Sequence, residues 1–499
     1  MTESSRGGTT PHTPLPTSSE SATREGAPEG VVVREGDYGA RIAAVEPGGA
    51  GFIPLGQRHG RPLDLLWTWT SPNLEFATVF LGVLAVAAFG LTFWQATAAI
   101  VAGTLLGSAT HAVLSARGPR YGVPEMVLGR VPFGHRGNML PSAINSVAGG
   151  VGWFAVNSVS GSLALNTLTG MPKPLCLAIV VALQAGVAFF GHNLVHAYER
   201  YAFPVLAVVF GIASVIILAK ADVGAPAPDG AGTGGIGAFL IVVGASFGYA
   251  AGWNPYAADY TRYLPSTASP RAAGLWAGLG VFAGCTVLQI VGAASATLGG
   301  KALADPTGAF TGHLPSLVAN LTLLVIAIGA VGANAINIYS GSMSFVATGI
   351  RLPLPVRLQR ALVAGAFGAV GLVVAYFGLD DAGHDYEAFL LVIAYWIGPW
   401  LGVVLADLVL RRGVWTARDA DARVDAMVFD VRRRSWAGPA AMAVAVVVSV
   451  WLFSNQEKYV GIVPSHHPSF GDITFAVGFV LAALLYAVLR KVPGFRENG

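Results

Sequence analysis

The sequence predicts an all-α integral membrane protein with about twelve transmembrane helices, and three observations support this fold class. Of its 499 residues, 54% are hydrophobic and only 11% are charged, whereas soluble proteins carry roughly 25% charged residues. Apolar runs of about 20 residues, the length that crosses a bilayer core, recur along the chain. Two of these runs contain proline and polar residues at matching positions, which favours two repeats that each hold a broken helix.

The chain is predicted to begin with a cytoplasmic tail and to enter the membrane near residue 62. Residues 1–61 are rich in Ser, Thr, Gly, Pro and charge and contain no apolar run, so we predict a disordered segment without a signal peptide. A ten-helix core is predicted over 62–410, a cytoplasmic loop over 411–435, helices 11 and 12 over 436–490, and a cytoplasmic tail over 491–499. The predicted spans, with boundaries good to about 4 residues, are 63–88, 92–115, 138–168, 173–190, 197–219, 236–258, 274–298, 315–346, 359–378, 386–410, 436–453 and 471–490.

Lysine and arginine predict the orientation of these spans. With the N-terminus inside, the cytoplasmic loops and C-terminal tail carry 20 Lys and Arg residues, and the outer loops carry only Lys173, Lys220, Lys301 and Lys458. This distribution obeys the positive-inside rule. We therefore expect a multi-pass plasma-membrane protein with both termini in the cytoplasm.

Two stretches interrupt apolar spans. The first is Trp67–Phe76, WTWTSPNLEF, and the second is Gly248–Pro265, GYAAGWNPYAADYTRYLP. Proline removes a helix hydrogen bond, and broken backbone at membrane depth is tolerated only where protein buries it or where it lines a cavity. The second stretch is therefore either a plain helix end with a basic anchor or a deliberately broken helix.

An internal repeat favours the broken-helix interpretation. The third span contains NSVSGS from Asn157, and the eighth contains NIYSGS from Asn337, 180 residues later. The two break prolines, Pro72 and Pro255, are 183 residues apart. Because two separate features share nearly one offset, spans 1–5 and 6–10 are predicted to be repeats. An odd number of spans per repeat inverts the second relative to the first, and spans 11 and 12 lie outside.

Five stretches together resemble the purine–cytosine permeases of the nucleobase–cation symporter type, from about His59 to the last span. They are SPNLEFATVFLG in span 1, FGHRGNMLPSAINSVAGGVGWFAVNSVSG into span 3, FFGHNLVHAYERYAFP into span 5, the second break in span 6, and GANAINIYSGSMSF in span 8. The resemblance implies a LeuT-like core of ten helices in an inverted repeat, with two added helices. It also implies import of nucleobases together with a cation.

A nucleobase is a flat ring with donors and acceptors on its edge, so its site needs an aromatic face and amide or carboxylate groups. Trp153 and Asn157 are four residues apart and share one helix face. The family's helix-3 motif resembles this pair, which implies a substrate wall. The structural alternative is a tryptophan that packs against its neighbours and an asparagine that joins helices.

Further candidates lie in spans 1, 6 and 8. Asn334 and Asn337 share a face of span 8 and are candidates for binding the base. Asn337 matches the family's helix-8 amide, and helix packing is the alternative for Asn334. Phe247 and Tyr249 are candidates for covering the other face of the base, and the alternative is an aromatic side chain that packs or faces lipid. Asn73 lies in the first break and Asn254 in the second, where Asn254 either binds substrate or supports the loop.

Ionisable residues supply candidates for coupling and gating. Glu75 follows the first break at mid-membrane, where an acid is a functional candidate by default. It is a candidate for binding an amine of the base, for carrying a proton or for facing a cation, and the structural alternative is a carboxylate that caps a helix N-terminus. Glu199 lies nearer the cytoplasmic end of span 5, where pairing with Arg200 is the alternative. Asp259 and Arg262 are expected to form a structural or gating pair.

The family resemblance bears on the coupling ion. Sodium-coupled members of the superfamily use hydroxyl side chains and backbone carbonyls between spans 1 and 8, yet residues 327–336 contain no Ser or Thr. We therefore expect H⁺ rather than Na⁺, with Glu75 as the carrier. No ATP-binding loop or enzyme signature occurs, and no cofactor, metal site or nucleic-acid partner is expected.

The sequence thus predicts a symporter that imports cytosine and/or purines across the lipid bilayer. Within the same superfamily, a transporter of uracil, allantoin or a hydantoin is the alternative. In a different class, the alternative is a channel or a non-transporting sensor on the same scaffold.

Overall fold

The computed structural model describes residues 51–495 except 190–191, 229–230, 233, 300–302, 304, 351–352, 355, 380–381, 417–419 and 457. Spans 1–5 contain α1 (Asp64–Thr70), α2 (Phe76–Ala87), α3 (Phe93–Ser115), α4 (Gly118–Tyr121), α5 (Glu125–Leu128), α6 (Arg130–Gly137), α7 (Met139–Val147), α8 (Phe154–Thr169), α9 (Lys173–Phe189) and α10 (His192–Lys220). Spans 6–10 contain α11 (Gly235–Ala251), α12 (Ala257–Thr261), α13 (Pro270–Ala296), α14 (Pro306–Thr311), α15 (Ser316–Ala347), α16 (Val356–Phe377) and α17 (Ala382–Leu410). The remainder contains α18 (Arg412–Thr416), α19 (Ala420–Phe429), α20 (Ala437–Phe453), α21 (Ile462–His466) and α22 (Thr474–Leu489), with strands β1 (Asn455–Gln456) and β2 (Tyr459–Val460) paired antiparallel.

A helix lies at each predicted span. Within the described residues, seven helices are long and apolar enough to cross a membrane, or eight if α1 and α2 form one bent span. Four further apolar helices, at residues 173–187, 362–377, 437–453 and 474–489, are shorter. The all-α membrane architecture is therefore present, while the number of twelve crossings stays a prediction.

Both predicted interruptions are real breaks in helices. α1 passes into a 3-10 turn at Ser71–Asn73, and the chain is extended at Glu75 before α2 begins with a bend of 58°. α11 ends at Ala251, and a 3-10 turn at Asn254–Tyr256 precedes α12. Pro72 and Pro255 lie in these turns, and both turns are buried in protein, as broken backbone in a bilayer requires.

Glycines let α2 and α13 pack with their backbones in contact. A Cβ atom added to Gly82 would lie 1.7 Å from the carbonyl oxygen of Gln289. A Cβ atom added to Gly292 would lie 1.8 Å from the carbonyl oxygen of Val79. Small residues at such interfaces allow helices to approach closely in membranes, where the hydrophobic effect does not drive helix association. This contact fixes the half-helix that begins at the first break.

Replacing Gly82 by Ala is expected to lower the thermal unfolding midpoint in detergent, because overpacking costs about 1–3 kcal/mol. The matched control is Gly211→Ala in α10, where an added Cβ atom meets nothing within 4 Å. Fluorescence-detected thermal unfolding of the two purified variants checks this prediction. Equal midpoints for Gly82→Ala and Gly211→Ala would contradict the close packing.

The folded chain begins before the predicted boundary at residue 62. Phe52 and Ile53 are buried, and the Arg58 guanidinium donates to the carbonyl oxygens of Ile53 (3.0 Å) and Pro119 (2.6 Å). The polar composition of residues 1–61 predicted a disordered tail. The two buried apolar side chains and the two hydrogen bonds of Arg58 are enough to pack this short segment against the protein. Residues 1–50 lie outside the described residues.

The stretch 411–435, predicted as a loop, contains α18 and α19 and packs onto the core. Trp415 is buried and donates through Nε1 to Asp407 Oδ2 at 3.0 Å. Its carbonyl oxygen accepts the Tyr121 hydroxyl at 3.1 Å. The segment therefore joins the end of α17 to α4, and α20 and α22 pack beside α17.

Candidate substrate and coupling site

Glu75 joins the two broken helices. Its Oε2 accepts the backbone N–H of Ala77 at 2.9 Å, so the carboxylate caps the N-terminus of α2. Its Oε1 accepts the Tyr249 hydroxyl, also at 2.9 Å, and the side chain is only 1% exposed. The capping role weighed from the sequence is therefore present, and it coexists with a direct contact to span 6.

Asn73 and Thr78 hold the first break in shape. The Asn73 side chain donates to the carbonyl oxygen of Trp69 at 2.7 Å and accepts from Trp253 Nε1 at 2.9 Å. The Thr78 hydroxyl donates to the carbonyl oxygen of Asn73 at 2.7 Å and lies 2.5 Å from the Tyr249 hydroxyl. Because these contacts occupy both ends of the amide, we assign Asn73 to positioning the break.

An aromatic cluster surrounds the contact between Glu75 and Tyr249. The Trp153 ring makes T-shaped contacts with Tyr249 and Phe389, with centroid separations of 5.3 and 5.1 Å. Trp153 is therefore linked to the break of span 1 by Tyr249, whose hydroxyl donates to Glu75. Phe389 was not identified from the sequence, since a phenylalanine within an apolar span carries no signal of the face it occupies.

Three asparagines meet where spans 3 and 8 touch. The Asn334 Oδ1 accepts Nδ2 of Asn157 at 3.0 Å and Nδ2 of Asn337 at 3.3 Å. The Asn334 amide nitrogen donates to the carbonyl oxygen of Phe154 at 2.8 Å and to the Ser158 hydroxyl at 3.2 Å. Asn334 thus acts as the hub that fastens span 8 to span 3, as the packing interpretation expected.

The amide oxygens of Asn157 and Asn337 are buried and have no hydrogen-bond partner among the described residues. A buried acceptor without a partner costs free energy. A ligand with N–H groups on its edge would supply the missing donors. These two oxygens are the feature of the cluster that points to a ligand.

A second polar layer supports this cluster from span 4. Gln184 accepts the Ser158 hydroxyl at 2.8 Å and donates to the carbonyl oxygen of Ala330 at 3.2 Å. Sequence reasoning missed both side chains. A buried glutamine in an otherwise apolar run was the available signal, because such an amide needs partners.

A cavity of about 440 Å³ adjoins the Glu75 region. Phe76, Ser160, Tyr386 and Phe389 line it, and Ser160 lies beside the Glu75 carboxyl group. The cavity reaches Asp385, at the end of span 10 that was predicted to face outward. Its volume falls within the range of about 300–1,000 Å³ that is typical of small-molecule pockets.

Two predicted site residues have other contacts. The Phe247 ring stacks on Phe475 of α22 with centroids 4.5 Å apart. The Asn254 side chain donates to the Thr110 hydroxyl of α3 at 2.6 Å, which supports the second break. Neither contact involves Glu75, and we assign Phe247 to helix packing and Asn254 to support of the second break.

Asp259 and Arg262 tie the end of span 6 to its neighbours. The fully buried Arg262 donates to the Asp259 carbonyl oxygen at 3.2 Å and to the Tyr339 hydroxyl of α15 at 3.2 Å. The Asp259 carboxylate accepts the backbone N–H of Glu125 at 3.0 Å. These contacts connect span 6 to span 8 and to α5. The structural or gating role of Asp259 and Arg262 stays a prediction.

Glu125 is itself buried and forms an ion pair with Arg117. Burial raises the pKa of Glu125 to about 7, and the charge of Arg117 opposes that shift. Glu199 lies within α10, but its side chain is outside the described part of the chain. Its predicted coupling role therefore stays a prediction.

Apolar helices of membrane-spanning length and two buried breaks in direct contact are typical of polytopic membrane transporters. The structure is similar to that of Mhp1, a nucleobase-cation-symport-1 family transporter in a closed conformation with bromovinylhydantoin bound. The TM-score is 0.68 at 20% identity, and the match covers 89% of this chain and 94% of that chain. This similarity confirms the predicted fold class.

The chain belongs to the family of permeases for cytosine/purines, uracil, thiamine and allantoin, whose model matches residues 52–478. It is 27% identical over 469 residues to the putative purine-cytosine permease YxlA of Bacillus subtilis, covering 90% of this chain and 97% of that relative. It is also 27% identical to the purine-cytosine permease fcyB of Emericella nidulans, covering 85% of this chain and 83% of that relative. The family resemblance is thereby confirmed, and the chain is a transporter rather than an enzyme.

Asn334 and Asn337 are expected to respond differently to replacement by Ala. Asn334→Ala should lower the thermal unfolding midpoint. The substitution removes the oxygen that accepts from Asn157 and Asn337 and the amide group that donates to the carbonyl oxygen of Phe154. Asn337→Ala should weaken ligand binding with a much smaller loss of stability. Thermal unfolding and nucleobase binding of both variants check this, and reversed effects would contradict the assignment of Asn334 as the hub.

Proposed function

We propose that this protein imports cytosine and/or purines by proton symport, with the base held between spans 1, 3, 6 and 8. The observation that carries the proposal is the pair of buried, unpartnered amide oxygens on Asn157 and Asn337. Asn157 lies one helical turn from Trp153 in span 3, and Asn337 lies in span 8, which faces span 3. Exocyclic amines and ring N–H groups of a nucleobase are donors that match them.

In the proposed site, each side chain has a distinct role. Trp153 supplies the stacking face, and Tyr249 supports it by a T-shaped contact. Asn157 and Asn337 read the edge of the base. Glu75 carries the coupling proton. Its carboxyl group bridges the two breaks, and protonation of that group changes which hydrogen bonds it can form.

Two observations favour H⁺ over Na⁺ as the coupling ion. Residues 327–336 of span 8 offer no hydroxyl side chain, and the carbonyl oxygen of Ile328 already accepts the Tyr198 hydroxyl at 2.7 Å. A hard cation needs several oxygen ligands, so this region is poor in ligands for it. A buried acid beside the breaks supplies an alternative, since intramembrane acids form proton relays in transporters.

The substrate proposal rests on the relatives named purine-cytosine permeases. Uracil and allantoin, which the family description names, are the second candidates, together with hydantoins, the chemical class of the bromovinylhydantoin bound by Mhp1. All of them present similar N–H edges. The orientation proposed here, with both termini in the cytoplasm, rests on the positive-inside rule.

Uptake by proteoliposomes under imposed gradients tests this function. We expect saturable accumulation of radiolabelled cytosine or a purine above the external concentration when the outside is acidic. A sodium gradient without a pH gradient should not drive accumulation. Equilibration without accumulation would indicate a channel, absence of uptake would indicate a sensor, and sodium-driven uptake indifferent to pH would overturn the proton assignment.

A further inference from the structure

A basic pocket lies where α6 meets the start of α20, on the side that carries the arginine-rich loops. Its walls include the exposed arginines Arg136, Arg432 and Arg434, and it encloses about 620 Å³. His135 and Val431 complete its lining. Asp430, the acid nearest in sequence, accepts the backbone N–H of Arg432 at 2.8 Å. The side chains that line the pocket are therefore predominantly cationic.

The fold holds these arginines together. Gly134 and Arg434 form an antiparallel bridge, and the N–H of His135 donates to the carbonyl oxygen of Arg433 at 3.1 Å. The buried Arg433 guanidinium donates at 2.7 Å to the carbonyl oxygens of both Arg130 and Val131. The segment after α19 is thus pinned along α6, which brings the three exposed arginines to one pocket.

An apolar groove continues from the basic pocket and shares Arg136 with it. It encloses about 520 Å³ between the start of α7, the start of α20 and the C-terminal residues Gly494 and Phe495. Met139, Leu140 and Trp436 line it and are 41%, 38% and 47% exposed. Exposed apolar side chains at the start of two membrane helices, with a tryptophan among them, are typical of the membrane interface.

We propose that the pocket and groove bind one anionic phospholipid, with its phosphate headgroup on the three arginines and an acyl chain along the groove. Arginine suits phosphate because its planar guanidinium donates two parallel hydrogen bonds. Basic pockets between membrane helices on the cytoplasmic side bind anionic headgroups. A free phosphate ion would use the basic pocket alone, so the continuous apolar groove favours a lipid.

Such a lipid would bridge two parts of the protein. α7 leads through the π-helical segment Ala148–Trp153 into α8, which carries Asn157. α20 lies outside the predicted repeats and packs beside α22 and α17. The lipid would therefore fasten the base of span 3 to the two added helices, independently of which substrate is transported.

Quenching of Trp436 fluorescence by brominated lipids tests the proposal on the full-length protein in nanodiscs. The Trp436 signal is the difference between wild type and Trp436→Phe. Brominated phosphatidylglycerol should reach half-quenching at a mole fraction about tenfold lower than brominated phosphatidylcholine, since each arginine near the surface contributes to binding an anionic lipid. Equal half-quenching by the two lipids would overturn the proposal.

Substitutions test whether the preference for phosphatidylglycerol depends on the arginines of the pocket. Arg136→Gln, Arg432→Gln and Arg434→Gln combined should remove the preference for phosphatidylglycerol. Arg200→Gln, Arg271→Gln and Arg412→Gln combined remove the same charge from exposed positions elsewhere and should leave the preference intact. Loss of the preference in both triple variants would mean general surface charge, and would contradict a built site.

The wild-type protein also distinguishes the two sources of phosphate, even if a triple variant fails to fold. Inorganic phosphate added at millimolar concentration should not displace brominated phosphatidylglycerol from Trp436. Displacement by inorganic phosphate at constant ionic strength would show a free-anion site and overturn the lipid assignment.

Discussion

Replacing Glu75 by Gln is expected to abolish accumulation of nucleobase driven by a pH gradient, while exchange of base across the membrane continues. Glutamine keeps one oxygen, which can accept from the Ala77 N–H, and its amide nitrogen can donate to the Tyr249 hydroxyl. It cannot release or take up a proton at any working pH. Transport would then lose its coupling, and internal base should rise only to the external concentration.

The matched control is Asp385→Asn, which neutralises an exposed acid that lines the cavity adjoining the Glu75 region. That variant should accumulate base as the wild type does. The measurement is uptake by proteoliposomes with an acidic exterior, alongside counterflow exchange at equal pH. Retained accumulation in Glu75→Gln would clear Glu75 and direct attention to Glu199.

Replacing Trp153 by Ala is expected to weaken base binding by about 5- to 150-fold. This corresponds to the roughly 1–3 kcal/mol that a stacked base gains on an aromatic side chain, a range taken from single-strand nucleic-acid binding. Trp153→Phe retains a π face and should lose less affinity. The loss should appear in equilibrium binding of the purified variant as well as in apparent transport affinity.

Trp94→Ala serves as the control, because Trp94 is 63% exposed at the start of α3. It should leave affinity unchanged. Asn157→Ala tests the other half of the same wall, since its oxygen is expected to accept from the base edge. Wild-type affinity in both Trp153→Ala and Asn157→Ala would rule out this wall of the site.

Sequence reasoning located the two breaks because their chemistry is distinctive. Pro72 and Pro255 cannot continue a helix without cost, and both lie in 3-10 turns of the structure. The shared offset also located Asn157 and Asn337, which meet through the same oxygen of Asn334. Polar groups and prolines are costly in an apolar span, so their positions carry information about contacts.

The sequence did not predict which side of its helix each apolar or aromatic side chain occupies. Phe247 and Tyr249 are two residues apart and therefore point to different sides of α11. The structure directs Tyr249 to Glu75 and Phe247 to Phe475, a choice that depends on how α22 packs. Composition also concealed the docking of Phe52 and Ile53, because two apolar residues in a polar stretch leave no periodic pattern.

Direct binding of a panel of bases to the purified protein tests the central claim of a nucleobase site. Isothermal titration calorimetry of wild type and Asn337→Ala would compare cytosine, adenine, guanine, hypoxanthine, uracil, allantoin and hydantoin. We expect cytosine or a purine to bind most tightly to the wild type and to bind more weakly to Asn337→Ala. Tight binding of allantoin or a hydantoin with no measurable binding of any nucleobase would contradict the account.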